Sequence, residues 1–108
     1  MRQFCIIAIT AILIGACVSP VAADETADLY TKECAGCHGK DGKGRTPVGR
    51  KVGAKDLTLS KSSDAEMLKQ INEGKLAKDG SQAMPAFKAK LDADEIKALM
   101  DFVKKFRK

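Results

Sequence analysis

The only histidine of the chain directly follows a closely spaced pair of cysteines, in Cys34-Ala35-Gly36-Cys37-His38. On one helical turn, two sulfurs three residues apart lie on the same face. Each can add to a vinyl group of one porphyrin, with the histidine delivered beneath the metal. C-x-x-C-H is the attachment spacing of haem c. Other chemistries open to these residue types fit less well. A structural zinc site needs four ligands, and no second Cys or His pair follows. A thioredoxin-like redox pair belongs to a β-α-β pattern, whereas this segment lies between an amphipathic helix and a glycine-rich stretch. A plain disulfide would close too small a loop to stabilise much.

A second candidate iron ligand is Met84, in Ala83-Met84-Pro85-Ala86-Phe87. It falls outside any helical apolar pattern, and Pro85 restricts both its own φ and the conformation of the residue before it, so a thioether here can be held at a metal with little ordering cost. Met67 and Met100 stand beside Leu68 and Leu99 within helical patterns, where methionine reads as core filler. Iron held by His38 and Met84 has no open coordination position, which favours outer-sphere transfer of single electrons over substrate binding at the metal.

Helices and loops must position these groups. The first helix is expected from Thr26 to His38, with Leu29 and Tyr30 on its buried side and Gly39 as its end. From Gly39 to Ser62 come five glycines, one proline and many charges without a sustained period, the composition of a long loop. Such a loop needs an object to wrap, and Val48, Val52 and Leu57 are candidates to pack on a haem. Ser63-Asp64-Ala65-Glu66 is a capping box that opens a short helix with Met67, Leu68 and Ile71 at helical spacing, stopped by Gly74. Residues 75–91 form a second loop, carrying Met84. Asp92-Ala93-Asp94-Glu95 then caps a last helix with the stripe Ile96, Leu99, Met100, Val103 and Phe106. Strand signals are essentially absent.

This arrangement resembles class I cytochromes c over nearly the whole of residues 24–108. The matching pieces are Leu29-Tyr30 before Cys34, Gly39 after His38, Pro47, the Met84-Pro85 pair, and the closing Leu99-x-x-Phe102-Val103-x-x-Phe106. The resemblance implies an all-α, cytochrome c-like fold: three to four short helices and long loops wrapped around one covalent haem. It implies that the first and last helices cross, setting Tyr30 against Leu99 and Phe102. It also implies that Pro47 supplies a carbonyl to the outer nitrogen of His38, a bond that fixes the ring and raises its basicity. Thr26 stands where many members have a glycine at the crossing, and His38 to Pro47 is a shorter interval than in the mitochondrial protein. The implied cofactor is one haem c with its iron. Its binding residues are Cys34, Cys37, His38, Met84 and Pro47, and its metal ligands are His38 and Met84. A Met/His pair raises the potential in cytochromes c.

The activity so implied is that of a single-electron carrier rather than an enzyme. Its partners would be redox proteins, namely a respiratory complex or a periplasmic dehydrogenase or reductase. Two rivals differ in class. One is a haem sensor or peroxidatic enzyme in which Met84 leaves the iron. The other is a lipid-anchored electron-transfer subunit.

Composition agrees with a small domain built around a cofactor. With 108 residues, 5% aromatic content and no tryptophan, the chain holds one small domain, and domains of that size need a disulfide, metal or large cofactor as additional core. Nineteen Lys and Arg alternate with fourteen Asp and Glu to a net charge of +5, without the blocks of a nucleic-acid arm. Lys40, Lys43, Lys75, Lys78 and Lys88 flank the two haem-binding loops and are candidates for docking an acidic partner.

Residues 1–23 read as a secretory signal peptide and 24–108 as the domain. Arg2 is the only charge before Asp24, and the apolar run from Phe4 to Val18 is shorter than the roughly twenty residues of a bilayer span. Val21 and Ala23 are small at the positions that a signal peptidase inspects, so the mature chain is expected to begin at Asp24. It would be periplasmic, monomeric and without a transmembrane span. In the rival reading, Ile14-Gly15-Ala16-Cys17 is a lipoprotein signal and Cys17 carries a lipid anchor.

Overall fold

Asp24 and Glu25 place negative charge on the first turn of a helix, where the exposed amides favour it, and Lys32 does the converse at the far end. In the computed structural model, which describes residues 22–108, this helix is α1, Ala23–Glu33. The signal-peptide segment, with Cys5 and Cys17, lies outside the described residues.

The single helix expected from Thr26 to His38 is divided. At Cys34 φ widens to −120°, which interrupts the regular helix, and the short helix α2 follows as Ala35–His38. The Cys34 carbonyl still accepts the His38 amide at 2.9 Å, so the turn carrying the cysteines and histidine is re-aimed without being detached.

The stretch read as one long loop contains α3, Pro47–Val52, and a single 3-10 turn, Leu57–Leu59. Thr46 caps α3, Pro47 occupies its first turn, where a missing N–H costs nothing, and Gly53 ends it in the left-handed region at φ 71°. Six-residue helices of this kind carry too little periodicity to stand out in a sequence.

The two capped helices appear as expected. Helix α4, Asp64–Glu73, opens on the Ser63–Glu66 capping box, and α5, Ala93–Lys104, on the Asp92–Glu95 one. Between them, two short antiparallel strands, β1 (Lys75–Leu76) and β2 (Gln82–Met84), replace the expected plain loop. Their turn is set by Asp79, whose carboxylate accepts from the Ser81 amide at 2.9 Å and the Ser81 hydroxyl at 2.6 Å.

Helix α5 packs on both α1 and α4, and Tyr30, Met67, Leu99, Met100 and Val103 form the buried core. Tyr30 meets Phe102 and Phe106 with ring centroids 5.1 and 5.3 Å apart, and the two phenylalanines meet edge to face. Such pairs contribute about 0.5–1.5 kcal/mol each beyond their buried area. Thr26 is buried on α1, and its hydroxyl donates back to the Ala22 carbonyl at 3.2 Å. A side chain larger than glycine is thus accommodated there with its polar atom satisfied. The fold is mostly helical, as expected.

Candidate haem site

A cavity of about 930 Å³ opens between α2, the 3-10 turn, α4, the β-hairpin and α5. Cofactor sites typically occupy about 300–1,000 Å³ and are mainly apolar. Tyr30, Leu57, Met67, Ile71, Phe87 and Leu99 supply apolar wall, and Cys34, Cys37, His38 and Met84 all reach the same space. The four residues singled out by chemistry are therefore brought together.

Cys34 and Cys37 are free, half-buried thiols. Burial pushes the Cys34 thiol up to about 11, with Glu33 and Cys37 adding to the rise. A thiol so held is protonated at neutral pH. Reactive redox cysteines need the reverse, a lowered pKa in an electropositive setting.

His38 Nδ1 faces the Lys55 carbonyl at 3.1 Å. A carbonyl can only accept, so Nδ1 carries the proton and the Nε2 lone pair is left for a metal. Burial lowers the His38 pKa from its ordinary value, against a smaller upward pull from the Lys55 bond. The net lowering suits a neutral imidazole ligand.

The carbonyl assigned to Pro47 thus belongs to Lys55. Pro47 lies in the first turn of α3, where carbonyls turn to amides four residues on, while Lys55 follows the Gly53 cap and is free to face the ring. Two glycines permit that course. A Cβ on Gly44, at φ 70°, would meet the Lys55 carbonyl at 3.0 Å, and one on Gly49 would collide with the Cys37 carbonyl.

Thr46 and Tyr30 hold the attachment turn from outside the motif. The Thr46 hydroxyl is shared between the Gly36 carbonyl at 2.7 Å and the Cys37 carbonyl at 3.0 Å, and it accepts the Gly49 amide at 2.9 Å. One side chain therefore caps α3 and satisfies the open carbonyl end of α2. The Thr46-Pro47 pair is an N-cap signal, readable once α3 is suspected. The Tyr30 hydroxyl donates to the Gly39 carbonyl at 2.7 Å, and burial raises its pKa well above the ordinary tyrosine value. No local pattern announces that bond, which spans two helices.

Met84 ends β2 and is pinned through its backbone. Phe87 N donates to the Ile71 carbonyl at 3.0 Å and Lys88 N to the Asn72 carbonyl at 3.2 Å, so the segment after Met84 is bonded to the end of α4. Gly74, at φ 69°, lets this approach happen, since a Cβ there would strike the Met84 carbonyl.

Met67 and Met100 are buried, as core methionines should be, but Met67 also lines the cavity, with its sulfur 2.9 Å from Arg107 Nη2. Val52 and Leu57 line the cavity as expected. Val48 does not, being 53% exposed on α3. Of the five lysines proposed for docking only Lys75 lies on the cavity, where Lys55, Lys61 and Lys69 join it. Among the described residues no helix is long and apolar enough to cross a membrane.

The family described as cytochrome C oxidase, cbb3-type, subunit III matches residues 21–103. The chain belongs to this family. Among curated relatives, a cbb3-type cytochrome c oxidase subunit CcoP of Azospirillum brasilense is 33% identical over 86 residues, 76% of this chain and 28% of the relative. A subunit FixP of Azorhizobium caulinodans is 32% identical over 82 residues, 76% of this chain and 26% of the relative. The chain thus spans about a quarter of the length of these relatives. Among solved structures, the KustC0563 c-type cytochrome superposes with a TM-score of 0.65 at 37% identity, covering 77% of this chain and 98% of that one. The resemblance to cytochromes c is therefore sound. This is a c-type cytochrome domain of electron transport, and such a domain implies haem c with its iron. The residues present fit that group, since two thiols, an imidazole whose pKa is lowered by burial and a thioether converge on one apolar cavity of suitable size.

Proposed function

We propose that the domain carries single electrons on one haem c, bonded to Cys34 and Cys37, with His38 and Met84 as the iron ligands. Bound there, the group would supply reversible one-electron chemistry. The observation that carries this reading is the convergence of Cys34, Cys37, His38 and Met84 on one cavity. C-x-x-C-H occurs once in the chain, in keeping with one haem.

The protein's own contribution is to hold and shield the group. Lys55 orients the imidazole, Thr46 and Tyr30 steady the attachment turn, and apolar side chains keep water from the iron. With His38 and Met84 both given to the metal, no place would be left there for a substrate, and the domain would pass electrons.

The partner is a respiratory complex, as the names of the relatives suggest, and the compartment is the periplasm, as the apolar leader and the haem-attachment motif suggest. Lys61, Lys69 and Lys75 on the cavity rim offer positive charge to an acidic docking face. The deciding experiment combines the intact mass of the exported protein with redox-monitored visible spectra. The expected result is one covalently bound haem and a ferric sulfur-to-iron band that disappears in Met84→Ala. A protein with no covalent haem, or with that band unchanged in the variant, would show the assignment to be wrong.

A further inference from the structure

Arg107 lies beyond the end of α5 at Lys104, in a tail strapped across one wall of the cavity. Its Nη2 donates to the Ser62 carbonyl at 2.6 Å and lies 2.9 Å from the Met67 sulfur. Both partners line the cavity. The residues on either side are anchored too. Lys108 N donates to the Thr58 carbonyl at 3.3 Å, and the Phe106 ring closes on Gly42, where a Cβ would meet it at 3.0 Å.

Two features bear on this guanidinium. The ion pairs among the described residues are Lys90–Glu33 and Lys104–Asp64, so none of the described carboxylates neutralises Arg107. Its Nε is also buried without a hydrogen-bond partner. Arg107 as a whole is half-buried, but a buried polar atom left unpaired calls for an explanation. Here a cation with a neutral carbonyl and a thioether as its contacts stands one side chain behind the wall of a site at which charge changes.

We propose that Arg107 tunes the reduction potential, its uncompensated charge behind Ser62 and Met67 favouring the ferrous over the ferric state. The proposal rests on the reading that haem occupies this cavity. When one electron arrives from a redox partner, no bond forms or breaks and the site loses one unit of positive charge. A nearby fixed cation repels the ferric state more than the ferrous one. Buried Met67 lies between them as low-dielectric material, where such interactions are screened less than at a surface.

The test is the potential of the haem-loaded, full-length protein in R107Q, R107M and R107K, with K97Q as control. R107Q and R107M should each lower the equilibrium constant for reduction about tenfold, or about 59 mV for one electron. R107K keeps the charge and should stay within about threefold of the parent. Lys97 is exposed on α5, so K97Q makes the same change in net charge and should shift the constant less than about twofold. Haem content, read first by mass, separates the two readings. A parent protein without haem sinks the occupancy reading and this one together. Haem-loaded R107Q or R107M at the parent potential sinks this one alone. So does R107K falling as far as R107Q, since that would trace the effect to guanidinium geometry rather than charge.

Discussion

The two arms that reach the cavity are held in different ways. The His38 arm is fixed at the side chain itself, with Lys55 on the ring, and the turn beneath it is clamped by Thr46, Tyr30 and the close approach of Gly49. The Met84 arm is fixed through its backbone, by the β-hairpin and by two amide bonds to the end of α4. A ligand oriented by a bonded neighbour resists displacement, whereas one held only by its main chain depends on the loop beneath it. On the ligand set proposed above, the histidine side is the permanent half of the site and the methionine side the exchangeable half.

The largest test of that contrast compares His38→Ala with Met84→Ala. Loss of His38 should sharply reduce the amount of haem-loaded protein, because the oriented imidazole would hold the metal in place while Cys34 and Cys37 are bonded. Loss of Met84 should leave haem attached to Cys34 and Cys37, lower the potential and open the iron to cyanide. Mass spectra and cyanide titrations read both outcomes, and a Met84→Ala protein that loses its haem as completely as His38→Ala would erase the difference between the arms. Met100→Ala, by comparison, should cost packing alone, roughly 2–5 kcal/mol in denaturant unfolding with the spectrum unchanged.

Gly74→Ala attacks the exchangeable half through its backbone. Left-handed backbone with a side chain, together with the clash against the Met84 carbonyl, should cost roughly 1–3 kcal/mol and weaken the sulfur-to-iron band before the protein unfolds. If that band holds while global stability falls, Gly74 supports the hairpin without governing the methionine.

Tyr30→Phe probes the permanent half and should cost about 1 kcal/mol, the worth of one buried hydrogen bond, with both ligands retained. Its pH dependence has a definite sign. Folding raises the tyrosine pKa, so the stability linked to this group is present below the unfolded value of about 10 and declines as pH rises beyond it. The stability gap between the parent and Tyr30→Phe should therefore narrow above about pH 10, as read by urea titrations across that range. Smallest of all is Lys90→Ala. It breaks an ion pair with Glu33 whose lysine is largely exposed, and a change within about 1 kcal/mol is expected in the same titrations.

Much of this protein was legible from sequence, for reasons visible in particular residues. C-x-x-C-H marks a haem c domain because that spacing brings two sulfurs and an imidazole onto one turn. The Ser63–Glu66 and Asp92–Glu95 boxes mark helix starts because the capping contacts lie within three residues. The apolar stripe of α5 marks the core face through its period alone. Tertiary structure decided what depends on close approach between distant segments. Whether Pro47 or Lys55 would face His38 turned on where α3 ended and on glycines that admit a carbonyl. The strands beside Met84 are too short to carry a period, and the strap formed by Arg107 joins segments that no local pattern relates. Local hydrogen bonds and periodic burial are encoded within a few residues of chain, whereas the choice among carbonyls, lysines and methionines around a cavity is made only when the whole chain has closed upon it.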